Sequence, residues 1–320
     1  ADVLRLWVSS VDYSSDVPLG KNILKQMADV YRKIRNTSRF LIGNLHDFNP
    51  ATDAVAYDDM PELDRYMLHR ITEVFAEVTD AFETFQFFRF FQTIQNFCVV
   101  DLSNFYLDIA KDRLYISSEN AQRRRSCQTV LAVAIENLAK AIAPVLSHMA
   151  EDIWQFLPYE TAHTSVFQSG WVTMDDQWAK PALVEPWSKL RTIRDEVNKV
   201  LEQARSDKAI GSSLAAKVLS YVADSGLQTR LTELNPDGMT GNGVDELRYL
   251  FLTSQVELID SADAVKDMKY HSLTDKLAIG VADSDGVKCD RCWNHSVQVG
   301  ESEDHPLICE RCVSALDDTF

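Results

Sequence analysis

No uninterrupted run of some 20 apolar residues occurs in the 320-residue sequence, so a membrane-spanning helix is not expected. The most apolar stretch, 81–107, is broken by Gln86, Arg89, Gln92, Gln95, Asn96 and Asp101. Positive charge is scarce: 32 Lys and Arg stand against 48 Asp and Glu, a net charge of −16. That balance opposes unspecific attraction to nucleic acid or to anionic membranes. A nucleic-acid binder so composed must gather its cations on one face. Low-complexity tracts, internal repeats and Gly/Ser linkers are missing, which excludes extensive disorder. Six cysteines are too few for a disulfide scaffold at this length, and four of them form two close pairs, a pattern of reducing compartments and metal sites. There is no glycine-rich phosphate loop and no nucleophile elbow, and no catalytic residue is assigned. The opening residues Ala1-Asp2-Val3-Leu4-Arg5-Leu6-Trp7 resemble neither a secretory leader nor a transit peptide, and read as the middle of a protein.

What is present is mostly helical. Over 22–45, Ile23, Met27, Val30, Ile34, Leu41 and Leu45 recur at helical spacing, and at about 100° per residue Lys21, Lys25, Arg32 and Arg39 share a stripe with Arg35 beside it. Met60-Pro61-Glu62-Leu63 opens a second long helix. Phe82, Phe85, Phe88, Phe91 and Phe97 are spaced as a buried helix face. A helix over 126–157 is expected to kink at Pro144, and 158–186 to be irregular. Another helix, over 187–209, carries Arg191, Arg194, Lys199, Arg205 and Lys208 between apolar positions. Strand-like runs at 218–222, 255–259 and 276–281 alternate with helical stretches near Leu227 and Leu247, which predicts a small α/β module.

Chemistry concentrates near the end. Cys289-x2-Cys292 and Cys309-x2-Cys312 are separated by residues 293–308, the spacing of a zinc ribbon, in which each pair turns two sulfurs inward. Four thiolates saturate a tetrahedral zinc and leave no place for water, so one structural zinc is expected. A redox reading needs only one pair and a βαβ setting. His295 and His305 are read as loop residues. Some 35 residues around the cysteines cannot build a core alone, so metal binding supplies the folding energy, on the order of 10 kcal/mol. Cys98 and Cys127 are read as packed core thiols. His148, Glu151 and Asp152 lack the second histidine of a metalloprotease helix and are given a structural role. Arg123-Arg124-Arg125 is read as a solvated turn.

Several segments resemble isoleucyl-tRNA synthetases, a class I aminoacyl-tRNA synthetase family. They are Leu4-Arg5-Leu6-Trp7-Val8-Ser9-Ser10 with Asp12-Tyr13, Arg35-Asn36-Thr37 with Arg39-Phe40-Leu41, and Asn96-Phe97-Cys98 with Phe105-Tyr106-Leu107-Asp108 and Lys111-Asp112-Arg113-Leu114-Tyr115. Ala143-Pro144-Val145-Leu146 with Glu151-Asp152-Ile153-Trp154 is shared with related synthetases. More specific are Leu201-Glu202-Gln203-Ala204-Arg205 with Ile210-Gly211-Ser212-Ser213-Leu214, and Lys288-Cys289-Asp290-Arg291-Cys292-Trp293.

The resemblance covers essentially the whole chain and implies the C-terminal part of such an enzyme. The expected fold is mainly α. Residues 1–20 would end the catalytic-domain connection, 21–180 form a helical anticodon-binding bundle, 181–285 an α/β junction domain and 286–320 a zinc-ribbon-like module. The implied function is recognition of the isoleucine tRNA by its anticodon stem-loop, within a cytoplasmic or organellar, monomeric enzyme whose upstream catalytic domain uses ATP. Lys25, Arg32, Arg35, Arg39, Arg191, Arg194, Arg205, Lys208 and Arg291 are the expected tRNA contacts. Trp293 would stack on a base or cover the zinc. The two-histidine nucleotide signature, the lysine signature loop and an editing domain are absent from these residues, so no amino-acid activation is expected of them. The rival readings are a zinc-stabilised helical scaffold that binds only protein, favoured by the acidic charge, and a thiol-redox or DNA-repair protein.

Overall fold

A computed structural model describes residues 1–14, 16–234 and 246–320. These divide into two compact units, 1–114 with 122–181, and 115–121 with 182–320.

The first unit is helical. Its elements are α1 (Asp2–Ser9), α2 (Lys21–Gly43), α3 (Pro50–Asp53), α4 (Glu62–Glu83), α5 (Phe87–Asn96), α6 (Leu107–Ile116, whose last residues count with the second unit), α7 (Gln122–Ile142) and α8 (Ser147–Gln155). A π-helical stretch, Phe97–Tyr106, joins α5 to α6. Helix α2 is amphipathic and buries Ile34 and Leu41. Helix α3 starts where the Asn49 side chain accepts the Ala51 N–H at 3.0 Å and Pro50 supplies a first-turn residue. Removing Phe75, Phe90, Phe97, Met67 and Ile71 from water drives the bundle together.

Several buried polar groups in this core are paired. Asp64, fully buried, accepts from Tyr106 Oη at 2.9 Å, Arg113 at 2.9 Å and Ser126 Oγ at 2.6 Å. Asp2 caps α8: one carboxylate oxygen accepts the Met149 N–H at 3.0 Å and the other lies 2.8 Å from His148 Nδ1. Glu151 accepts from Ser165 Oγ and the Val166 N–H. His148 and Glu151 thus hold backbone in place.

Three expectations are corrected in this unit. The helix expected over 126–157 is two helices, because Pro144 has no N–H to donate and its ring blocks the preceding turn. Phe91 and Phe97 are buried, but Phe85 and Phe88 are 68% and 45% exposed. Helix α4 stops at Glu83 and Phe85 takes a positive φ of 56°, which breaks the helical register on which that face depended. Phe82 instead packs with Phe87, Phe90 and Trp171. Arg124 and Arg125 are buried on Asp47 and are no solvated turn.

The second unit contains α9 (Val184–Ser206), β1 (Ala216–Val222), α10 (Ser225–Leu234), α11 (Glu246–Phe251), β2 (Gln255–Leu258), β3 (Tyr270–Leu273), β4 (Leu277–Asp283), β5 (Val287–Lys288), β6 (His295–Ser296) and α12 (Glu310–Leu316). One sheet has the order β2-β1-β4-β3. Strands β1 and β2 are parallel, which requires the crossover that carries α10 and α11. Strand β4 runs antiparallel to β1, with Val218 opposite Val281, and to β3. Gly280 sits under Met268, whose sulfur would lie 2.4 Å from an added Cβ. Strand β3 was not expected, since four residues alternate too briefly to be read. Strands β5 and β6 form a hairpin with Val287 opposite Ser296. The α/β and cysteine regions, expected as separate modules, share one compact unit with residues 115–121. No helix among the described residues is long and apolar enough to cross a membrane.

Candidate metal centre and nucleic-acid interface

The β5–β6 hairpin supplies Cys289 and Cys292, and the start of α12 supplies Cys309 and Cys312. The turn after Cys289 is held by the Trp293 N–H on the Cys289 carbonyl at 2.9 Å and by the Cys289 N–H on Asn294 O at 2.8 Å. Trp293 itself takes a φ of 67° to complete it. The Cys309 N–H donates to the Cys289 sulfur at 3.3 Å. Across the site, Cys289 Sγ lies 3.7 Å from Cys312 Sγ, and Cys292 Sγ 3.6 Å from Cys309 Sγ. All four sulfurs fall within 4.8 Å of one another.

A zinc tetrahedron with Zn–S bonds of about 2.3 Å has edges of about 3.8 Å, so the four sulfurs fit one zinc. All four cysteines are buried, and Ile116, Val299 and Ile308 pack around them. Hydrogen bonds from Cys309 and Cys312 hold the Cys292 thiol far below its ordinary range, with Arg311 adding its charge, while the same contacts push Cys309 and Cys312 up. His295 and His305 are not part of the group. Cys98 and Cys127 are fully buried in the helical unit, and burial pushes both up to about 12.

In the helical unit, Lys25, Arg32, Arg35 and Arg39 stand exposed along α2. Arg32 is engaged by Asp29 at 2.9 Å, a surface pair of little strength. Beside them is a cavity of ≈ 350 Å³ between α2 and α8, lined by Tyr31, Arg35, Arg39, Ile42, Asp152 and Phe156 among others. Phe156 is 71% exposed at its rim. Two guanidinium groups and an exposed ring at one opening suit a planar, anionic ligand such as a nucleotide.

Comparison with known proteins finds two family matches within the chain. Residues 64–220 match the anticodon-binding domain of tRNA ligase, and 286–315 match a zinc finger found in FPG and IleRS. The chain is 69% identical over 321 residues to the isoleucine–tRNA ligase of Crocosphaera subtropica, 70% over 321 residues to that of Rippkaea orientalis, and 71% over 318 residues to that of Acaryochloris marina. These alignments cover 100%, 100% and 99% of the chain. The chain belongs to the isoleucine–tRNA ligase family. It spans 34%, 34% and 33% of the length of these three relatives.

Along this chain the expected contact residues separate. Lys25, Arg32, Arg35 and Arg39 share the exposed side of α2. On α9, Arg205 is exposed and pairs with Glu202 at 2.6 Å and Arg191 is half-buried, while Lys208, just past the helix end, is exposed with a φ of 59°. Arg194 is a correction. It is 6% exposed and its Nε donates to the Leu250 carbonyl at 2.8 Å, because the turn that bears it faces the sheet side with Val197 and Leu201. A buried guanidinium so engaged holds α11 and offers nothing to phosphate. Arg291 is half-buried and donates to the Ile116 carbonyl at 2.8 Å. Trp293 is 60% exposed, with Lys288 Nζ 5.0 Å from its ring centroid. Tyr31, Phe156 and Ile116 escaped sequence reasoning. Each joins its site from another element, and no local pattern marks it.

Proposed function

We propose that this chain is the part of an isoleucine–tRNA ligase that holds the isoleucine tRNA by its anticodon arm. The observation that carries the reading is the gathering of Lys25, Arg32, Arg35 and Arg39 on one exposed helix side, with Phe156 across the cavity, in a chain of net charge −16. The cations would take backbone phosphates, and Phe156 would stack on an unstacked loop base. Trp293, exposed on the zinc hairpin and flanked by Lys288, offers a second ring to the same RNA. Arg191, Arg205, Lys208 and Arg291 would add charge near the backbone. The structural zinc sets the shape of the hairpin and takes no part in chemistry. Held this way, the acceptor end would reach the catalytic domain of the full-length enzyme, a cytoplasmic monomer that joins isoleucine to its tRNA with ATP. The residues described here would not activate isoleucine by themselves.

Binding of the purified chain to an isoleucine tRNA transcript, and to one with a changed anticodon, tests this. The matched transcript should bind more tightly. Equal affinity for both would remove anticodon recognition, and no binding to either would leave the acidic protein-binding scaffold as the better reading.

A further inference from the structure

We infer that Arg311 is a positioning residue for the zinc: it offsets the negative charge of the four-cysteine cluster and ties that cluster to Tyr249, so that zinc retention depends on it. The inference rests on zinc occupying the site described above.

Four thiolates around one divalent zinc leave a net negative charge, and here they sit among buried groups. Burying such a charge without a nearby cation is costly. The protein as a whole makes matters worse, since its net charge is −16. Compensation must therefore be local.

Arg311 stands between Cys309 and Cys312 on α12 and is 6% exposed. On α12 it directly precedes Cys312, whose sulfur lies 3.7 Å from that of Cys289 on the opposite hairpin. Arg311 Nη1 donates to Tyr249 Oη at 2.6 Å. The guanidinium carbon lies 5.4 Å from the Tyr249 ring centroid and 5.6 Å from that of Phe320. Two rings and a hydroxyl thus fix the plane of the cation against the cluster.

The other cations of the hairpin point to different tasks. Arg291 donates to the Ile116 carbonyl, and Lys288 lies over Trp293. Only a flat, forked donor can hold the Tyr249 hydroxyl while stacking on both rings, which favours arginine over lysine at this position. Because Tyr249 belongs to α11, Arg311 also links the seating of α12 to the metal.

The test uses the whole chain with its zinc, as wild type, Arg311→Met, Arg311→Lys and Tyr249→Phe. Zinc content is measured first, and a wild type without zinc would defeat the metal reading itself. Zinc release to a chelating dye is then timed beside thermal unfolding. Outer partners of metal ligands typically change metal affinity about 10–100-fold, so Arg311→Met should release zinc faster by that order. Arg311→Lys should fall between it and wild type, and Tyr249→Phe should speed release in the same direction. In the cobalt-substituted protein, the thiolate-to-cobalt charge-transfer band should move to lower energy in Arg311→Met while the tetrahedral ligand-field bands persist. Wild-type release and an unmoved band in Arg311→Met overturn the inference, even if the melting temperature falls, because Arg311 would then be a packing residue alone. Should Arg311→Met not fold, wild-type release rates in both Arg311→Lys and Tyr249→Phe overturn it.

Discussion

The Arg124 guanidinium closes on both carboxylate oxygens of Asp47, at 2.6 Å and 3.0 Å. Arg125 adds a bond to the Asp47 carbonyl at 2.7 Å, and Gln128 one to the carboxylate at 2.8 Å. Burial pushes Asp47 up, but the bonds from Arg124 and Gln128 and the two cationic charges outweigh it and hold Asp47 at about 2. The folded value lies below the unfolded one, so this stabilisation is complete above the ordinary aspartate range and fades as pH falls through about 2. Urea unfolding of the helical unit should therefore lose on the order of 1–2 kcal/mol between about pH 4 and pH 2 from this group. Asp47→Asn should remove that part of the pH dependence. Asp47→Ala should cost about 3–5 kcal/mol at neutral pH, because the buried Arg124 and Arg125 guanidinium groups lose the carboxylate they share.

Chelation should loosen the cysteine module and leave the helical unit folded, since zinc binding there supplies folding energy on the order of 10 kcal/mol. Thiol titration reads this directly. The four ligand cysteines should be protected with zinc and react after chelation, whereas Cys98 and Cys127, buried and pushed up to about 12, should react only in denaturant. Fast reaction of all six cysteines after chelation alone would show that the helical unit had opened as well.

Gly286→Ala should disrupt the zinc hairpin. Gly286 has a φ of +83°, and an added Cβ would lie 2.3 Å from the backbone of Ser296, so the hairpin must shift to admit it. The expected result is faster zinc release and faster proteolysis within 286–320. A wild-type zinc release rate would argue against that hairpin geometry.

Arg35→Ala, Arg39→Ala and Phe156→Ala should separate charge from stacking at the α2–α8 cavity. Each arginine that meets a phosphate should weaken matched and mismatched tRNA alike and lower the salt slope by about one unit or slightly less. Phe156→Ala should weaken binding by about 1–3 kcal/mol with the salt slope unchanged. Wild-type affinity in all three would remove this cavity from the interface.

Arg194→Ala and Trp293→Ala should behave as opposites. Arg194 is inside, so its loss should lower the stability of the second unit while the salt slope of tRNA binding stays the same. Trp293 is outside, so its loss should leave zinc in place and reduce tRNA affinity by about 1–3 kcal/mol. Zinc content, thermal unfolding and affinity measured on the same preparations distinguish them, and a zinc-depleted Trp293→Ala would mean that the ring shields the metal.

Much of this protein was legible as sequence wherever local chemistry decides the outcome. Two Cys-x-x-Cys turns can scarcely present their sulfurs except as paired ligands, and the period of Ile34 and Leu41 makes α2 a helix with one polar side. The alternation within 218–222 likewise marks β1, whereas the four residues of β3 are too few to carry a period. Direction was harder to read. A helical wheel cannot distinguish Arg205, which faces solvent, from Arg194, which is held by Leu250, because their surroundings come from segments some 50 residues away. Arg124 and Arg125 turn inward for the same reason, with Asp47 waiting across the bundle. Phe85 is exposed because the chain reverses at a positive φ there, a backbone choice that the spacing of phenylalanines does not encode. The sequence alone thus determined the long helices, three of the six described strands and the zinc ligands, through short-range periodicity and ligand spacing. Only the tertiary structure decided that Ile116 covers the sulfurs, that Phe156 shares a cavity with Arg35 and Arg39, and which arginines are exposed, because burial and pairing depend on neighbours that no local stretch of sequence contains.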